Sequence, residues 1–292
     1  MVKIDRDRIR DVSGLKKIIK LLCAVWLGFT VAACLANRFL YKPVRSQDKE
    51  RKIYLWRHGK ISYAETGCVQ PLLLLHSIMP GADLTEWNEQ ISALSKHYHV
   101  YAFDFLGYGQ SDKLALTYSA YLYTSLIRDF VRNVIVKDAE PGSPLCAVIA
   151  AGLSANYAVM AARLNGGSLF SKMLLVSPGV APASHGKFIQ RLIELPVYGT
   201  LIYNLRTAPH NGENGKYAFA ALHSNHLRAH IVQALRAVDI PLQIVIGGDA
   251  ENDAAMLRTA QQRGDGITVF ENTTLPHTEC PGRFYKVCRK FL

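Results

Sequence analysis

The stretch VIAAGLSANYAVMAA, Val148–Ala162, decides how the chain is read. Its first half is a short continuous apolar run, the pattern of a strand buried on both faces. Its second half spaces apolar residues as a helix does. Between them stands Gly152-Leu153-Ser154-Ala155-Asn156, with small residues around a serine where strand gives way to helix. A serine presented on so sharp a turn needs small residues two places before it and two places after, because larger side chains would collide there. Gly152 meets that need. Asn156 stands where glycine is usual, and asparagine tolerates unusual backbone angles better than most residues. The competing reading is an ordinary strand-to-helix junction in which Ser154 only packs.

Outward from this point, short apolar runs recur as PLLLLH (71–76), HVYAFDF (99–105), PLCAVIAA (144–151), KMLLVSP (172–178), PLQIVIGG (241–248) and GITVFEN (266–272). IYLWR and KISYAETG precede them and read as a short antiparallel pair. Helical patterns lie between, among them LTEWNEQISALSKH, YSAYLYTSLIRDFVRNVI and DAAMLRTAQQRG, with GRFYKVCRKFL at the end. Strand alternating with helix predicts an α/β fold, a mostly parallel central sheet with helices on both faces. Residues 180–239 break the alternation with helix only. They predict a small helical cap inserted at the sheet's carboxyl edge, where open α/β sheets bind ligands.

Net charge is +11 over 292 residues, but its distribution excludes a nucleic-acid reading. Up to Arg57 there are 14 Lys and Arg against 5 Asp and Glu, and afterwards 20 against 18. The basicity therefore belongs to the N-terminal arm, and the rest carries no Lys/Arg stripe with interleaved aromatics. Within that arm LLCAVWLGFTVAACLA (21–36) is uncharged, and with its apolar flanks it approaches the ~20 residues that cross a bilayer. Lys16, Lys17 and Lys20 precede it, and Arg38, Lys42 and Arg45 follow. Apolar on every face and bracketed by bases, it predicts a basic arm (1–17), a transmembrane helix (18–41), a linker (42–52) and a domain (53–292). A cleaved signal peptide and a lipoprotein modified at Cys34 are the alternatives; the missing A-x-A site and the long lead-in favour a retained anchor. Bases on both flanks leave the membrane side open. Six cysteines without C-x-x-C spacing or histidine clusters predict neither a metal site nor a disulfide framework.

An acyl-transfer site needs two backbone N–H groups aimed at the developing oxyanion. Ala155, after the candidate serine, would supply one, and Ile78, in the loop after LLLLH, the other. His76 reads as a histidine hydrogen-bonded at a strand end rather than a catalytic one. FDFLGYGQSDK (103–113) fails Gly-x-Gly-x-x-Gly at Asp112 and so predicts a tight turn instead of a dinucleotide site.

In order along about Ile53–Leu292, the hairpin, LLLLHS and its loop, VYAFDFLGYGQSDK, GLSAN, LLVSP, the helical insertion, IPLQIVIGG and LPHTECPGRFYKVCRKFL together resemble the α/β-hydrolase fold family. The likeness is to its lipase, esterase and C–C hydrolase branch. It implies a serine hydrolase acting on a carboxylic ester or related acyl bond, with Ser154 as nucleophile and Ile78 and Ala155 as oxyanion donors. It implies an acid after the penultimate strand, where GGDAEND gives Glu251, with Asp249 and Asp253 as rivals. For the base, relatives carry histidine just before Leu-Pro; here Thr274 holds that place and His277 follows Leu275-Pro276. Either His277 swings into position or the base is missing, so the alternative is a catalytically impaired binding protein on the same scaffold. A cofactor-free haloperoxidase or dehalogenase ranks last. The resemblance implies no cofactor or metal and a small-molecule, lipophilic ester as partner; attachment to the membrane is expected from the apolar N-terminal segment, which lies outside the resemblance. RTAPHNGENG (206–215) joins the two halves of the cap more directly than is usual, which predicts an open pocket.

Overall fold

The computed structural model describes residues 6–40, 51–137, 146–166, 169–179, 187–206, 215–229, 231–248 and 254–292. A long helix, α1 (Arg6–Leu40), precedes β1 (Lys52–Trp56), β2 (Gly59–Thr66) and β3 (Gln70–Leu75). A 3₁₀ turn (Leu84–Trp87) runs into α2 (Asn88–Leu94), followed by β4 (Tyr98–Phe103) and α3 (Ala120–Phe130). Next come β5 (Cys146–Ala151), α4 (Leu153–Leu164) and β6 (Phe170–Val176). The helical insertion supplies α5 (Lys187–Glu194), α6 (Tyr198–Arg206), α7 (Lys216–Leu222) and α8 (Ile231–Arg236). The chain closes with β7 (Leu242–Gly247), α9 (Ala254–Arg263), β8 (Gly266–Phe270), α10 (Pro276–Glu279) and α11 (Pro281–Phe291).

The eight strands form one sheet in the order β1-β2-β4-β3-β5-β6-β7-β8. β1 and β2 pair antiparallel, β2 and β4 likewise, and every later pairing is parallel. The apolar runs read as strands are therefore strands, and the period of two sorts their side chains between two cores. Leu73, Leu75, Val148 and Ala150 face the layer of α3, α4, α8 and α9, whereas Leu72, Leu74, Ile149 and Leu174 face α2 and α11. β5 lies between β3 and β6, near the middle of the sheet, with all six residues buried. Each buried Leu, Val or Phe of this kind contributes about 1.5–3 kcal/mol relative to exposure. α3 begins at Ser119, whose hydroxyl accepts from Leu122 N–H as an N-cap. On α4, Ala158, Ala161 and Ala162 are buried, and such small side chains let a helix lie close to its neighbours.

FDFLGYGQSDK does form a tight turn. The buried Asp104 carboxylate accepts from Leu84 N–H and Gln110 N–H, both at 2.8 Å, and from Arg51 at 3.4 Å. Burial pushes that carboxyl's pKa up, against the pull of the nearby positive charges. Gly109 (φ 46°) closes the turn so tightly that a Cβ there would run into the Asp104 carboxyl group.

Lys17–Leu40 of α1 is a 24-residue apolar span of mean hydropathy 2.2, with 6% of its most apolar window buried. One side of it touches α6: Thr30 Oγ1 and Tyr198 OH are 2.7 Å apart, Asn37 Nδ2 donates to Val197 O, and Asn204 Nδ2 donates to Asn37 Oδ1. All six cysteines are unpaired thiols.

Candidate active site

The turn between β5 and α4 differs from the sequence reading by two residues. Gly152, not Ser154, takes the strained angles, φ 59° and ψ −132°. A residue with a side chain reaches that region only at a cost of about 1–3 kcal/mol, so the bend falls where glycine is. α4 then starts at Leu153, and Ser154 is already helical. In the spacing of a nucleophile elbow, the apex is Gly152 and the small flanking residues are Ala150 and Ser154. Asn156 has no place in that frame; its Nδ2 donates to Gly179 O at 2.8 Å.

Ser154 is fully buried, and its hydroxyl donates to Ala151 O at 2.7 Å and toward Leu75 O at 3.2 Å. Both acceptors are backbone carbonyls at strand ends, which cannot take a proton. The Ala155 N–H is spent on Gly152 O at 3.2 Å. The expectation that Ser154 is the exposed nucleophile and Ala155 an oxyanion donor is corrected on both counts, because the apex lies two residues earlier. The residue after the apex is Leu153, whose N–H opens α4 and, as the first of a helix, lacks an intrahelical acceptor. Ile78 is buried in the loop after β3.

His277 lies on α10 and is 1% exposed, so it is not a solvent-facing loop residue. Its ring packs on Trp87 at 4.4 Å between centroids and presents Nε2 to Glu86 Oε1 at 2.6 Å, not to Ser154. Nδ1 has no hydrogen-bond partner among the described residues. Thr274, in the place before Leu-Pro, donates its hydroxyl to Glu279 at 2.8 Å. Glu251, Asp249 and Asp253 lie outside the described residues.

What the fold brings together is a different set. Glu86 sits on the 3₁₀ turn before α2, and its Oε2 accepts from Ser77 N–H at 3.0 Å and from Ser77 Oγ at 2.8 Å. Its Oε1 meets His277. Burial pushes the Glu86 carboxyl up, but the hydrogen bond and charge of His277, with further help from His76 and Ser77, outweigh it and leave the pKa below the ordinary value. His76 itself is held as a strand-end histidine: Nε2 accepts from Phe105 N–H at 3.0 Å, and Nδ1 is 2.7 Å from Ser77 O. Ser77 and Glu86 both line a cleft of about 220 Å³, whose other walls are Met79, Pro80, Gly81, Ala82, Asp83, Thr85 and Leu275. The cleft opens at the carboxyl end of β3, where α/β sheets carry their ligands. The sequence held one signal for Glu86, a carboxylate placed between Leu84 and Trp87, two residues that both enter the core.

Comparison with known proteins bears on the fold and the family. Over 53 residues, 18% of this chain and 19% of the relative's length, the sequence is 45% identical to (E)-2-((N-methylformamido)methylene)succinate hydrolase of Acinetobacter baylyi. The match spans about a fifth of that relative. An enol-lactonase of Burkholderia xenovorans superposes with a TM-score of 0.64 at 16% identity, covering 82% of this chain and 99% of its own. A bacterial membrane phospholipase A gives 0.59 at 16% identity and covers 97% of both chains. At these identities the two structures establish the fold alone. The sequence model of the alpha/beta hydrolase family matches residues 72–287, and with the parallel sheet and the glycine-apexed elbow in place, the chain belongs to that family.

Proposed function

We propose that the protein hydrolyses an acyl bond, an ester or lactone, of a small uncharged substrate bound in the cleft beside Glu86. The observation that carries this reading is a buried carboxylate, kept ionised, facing a cleft at the carboxyl edge of a hydrolase-family sheet. An ionised carboxylate within reach of a hydroxyl can take its proton, and His277 holds the other oxygen in place. Among the described residues the cleft walls carry Asp83 and Glu86 and no lysine or arginine, so a carboxylate-bearing substrate would meet like charge. Met79, Pro80 and Leu275 suit an apolar acyl or alcohol group. The same reading keeps α1 as a membrane anchor, which would bring the cleft near lipophilic esters. Glu86→Gln should lower kcat for p-nitrophenyl butyrate by at least about 100-fold with the thermal midpoint of unfolding still measurable. Unchanged turnover in that variant would remove the base and the proposal with it.

A glycine at the elbow apex favours a second reading, a non-catalytic relative that binds its ligand in the cleft. Purified wild type without turnover of short p-nitrophenyl esters or lactones, but with a thermal shift on adding an uncharged ester, would select it.

A further inference from the structure

We infer that Ser77 is the nucleophile, its hydroxyl working beside the seat that Gly152 leaves empty at the elbow apex. This rests on the acyl-hydrolase reading above and deepens it. A Cβ built on Gly152 would lie 3.4 Å from Ser77 Cβ. The Ser77 side chain therefore starts next to the place where an apex side chain would stand, on the loop that follows the neighbouring strand β3. Among the described residues, a Cβ on Gly152 would meet only Ser77 atoms within 4 Å, and Ser77 is itself 2% exposed.

The hydroxyl also has a base beside it, a carboxylate whose side chain is only 9% exposed. Ser77 Oγ donates to Glu86 Oε2 at 2.8 Å, and the Ser77 N–H fixes the same oxygen from 3.0 Å, so donor and acceptor are held by two bonds in one geometry. The rival hydroxyls nearby are placed differently. Ser154 is tied to carbonyl oxygens; Thr274 also donates to a carboxylate, but it and Glu279 are both exposed; and Thr85, which shares the cleft, donates to Asp83, whose same oxygen is held by the Thr85 N–H as the cap of the 3₁₀ turn. Leu153, at the start of α4, offers its N–H on the apex side, and a helix N-terminus suits an oxyanion.

The chemistry balances without a cofactor. Ser77 Oγ bonds to the substrate's carbonyl carbon while its proton passes to Glu86 Oε2. The tetrahedral adduct collapses, the carbon–oxygen bond to the leaving group breaks, and the leaving alkoxide takes the proton from Glu86 to depart as an alcohol. Water then attacks the acyl-Ser77 ester and gives a proton to Glu86. The Ser77–acyl bond breaks, and Ser77 recovers that proton as the carboxylic acid leaves. His277, which touches Glu86 and not the reacting atoms, is a positioning residue.

The test uses the full-length chain in detergent with a fluorophosphonate probe and peptide mapping. Label on the Ser77 peptide, its loss in Ser77→Ala together with a fall in kcat of roughly 10³-fold or more, and its persistence in Ser154→Ala and Thr85→Ala are the expected results. Label on Ser154 or Thr85 overturns the inference. Turnover that survives in Ser77→Ala yet is lost in Glu86→Gln also overturns it, and leaves the hydrolase reading standing with Glu86 acting on water. Wild type with neither label nor turnover overturns both. For His277, the acidic limb of the kcat/KM profile should move to higher pH in His277→Ala, and less in His277→Gln, which can still donate to Glu86. An unmoved limb denies His277 its part.

Discussion

At the scale of single residues, the centre turns on which residue accepts strain. The sequence reading puts Ser154 at the apex with Gly152 as its small flank, and the positive φ of the turn falls on glycine, where it costs least. That choice buries the serine on the first turn of α4, where its hydroxyl bonds back to Ala151 O. Gly152→Ala should therefore destabilise the fold by about 1–3 kcal/mol, read as a lower urea midpoint at unchanged m-value. The methyl group itself meets Ser77 Cβ at ordinary contact distance, so the loss comes from the backbone and not from a clash. A midpoint equal to wild type would mean that the turn relaxes and that glycine is not required there.

At the scale of elements, the short 3₁₀ turn and α10 matter more than their length suggests. Asp83 caps the turn by accepting from Thr85 N–H at 2.8 Å, which sends Glu86 toward Ser77 and Trp87 into the core. Pro276 starts α10, and Gln90 Nε2 donates to His277 O at 3.2 Å, which ties α10 to α2 and brings His277 over Trp87. α1 has a different logic. Its 24-residue apolar span would be about 36 Å long, enough for a hydrocarbon layer of about 30 Å. Ile18, Leu21, Leu22, Trp26 and Phe29 are all exposed, while Thr30 and Asn37 turn toward α6. As an anchor, α1 should hold the full chain in the membrane pellet through alkaline carbonate extraction, and a chain beginning at residue 42 should be released. Release of the full chain would deny the anchor.

At the scale of the whole molecule, the two apolar cores on either side of the sheet fix stability, and the Glu86–His277 pair sits where the second core meets the cleft. Folding lowers the pKa of Glu86, so this group adds stability above its unfolded pKa of about 4.3, and that stability is lost as pH falls through the folded value. Asp104 acts with the opposite sign, since burial pushes its carboxyl up and acid relieves that cost. The two effects separate in a variant: the gap in urea midpoint between wild type and Glu86→Gln should narrow from pH 7 toward pH 3.5. A gap that is constant across this range would show that the Glu86 charge contributes nothing to folding.

The sequence by itself determined the architecture. Apolar runs of strand length alternating with helical spacing require a covered parallel sheet, and the runs from Leu72, Val100, Cys146, Met173, Leu242 and Ile267 all lie in it. The helical insertion between β6 and β7 and the apolar N-terminal helix were legible for the same reason, because periodicity and hydrophobicity are local properties. The site was legible only in part. His277 was singled out, but its partner Glu86 lies 191 residues away, and no local pattern joins them. Ser77 and Gly152 become neighbours only when β3 and β5 pair. Which small residue bends, which carboxylate meets the imidazole and which hydroxyl faces the cleft are set by strand register and backbone strain, and the tertiary structure alone decided them.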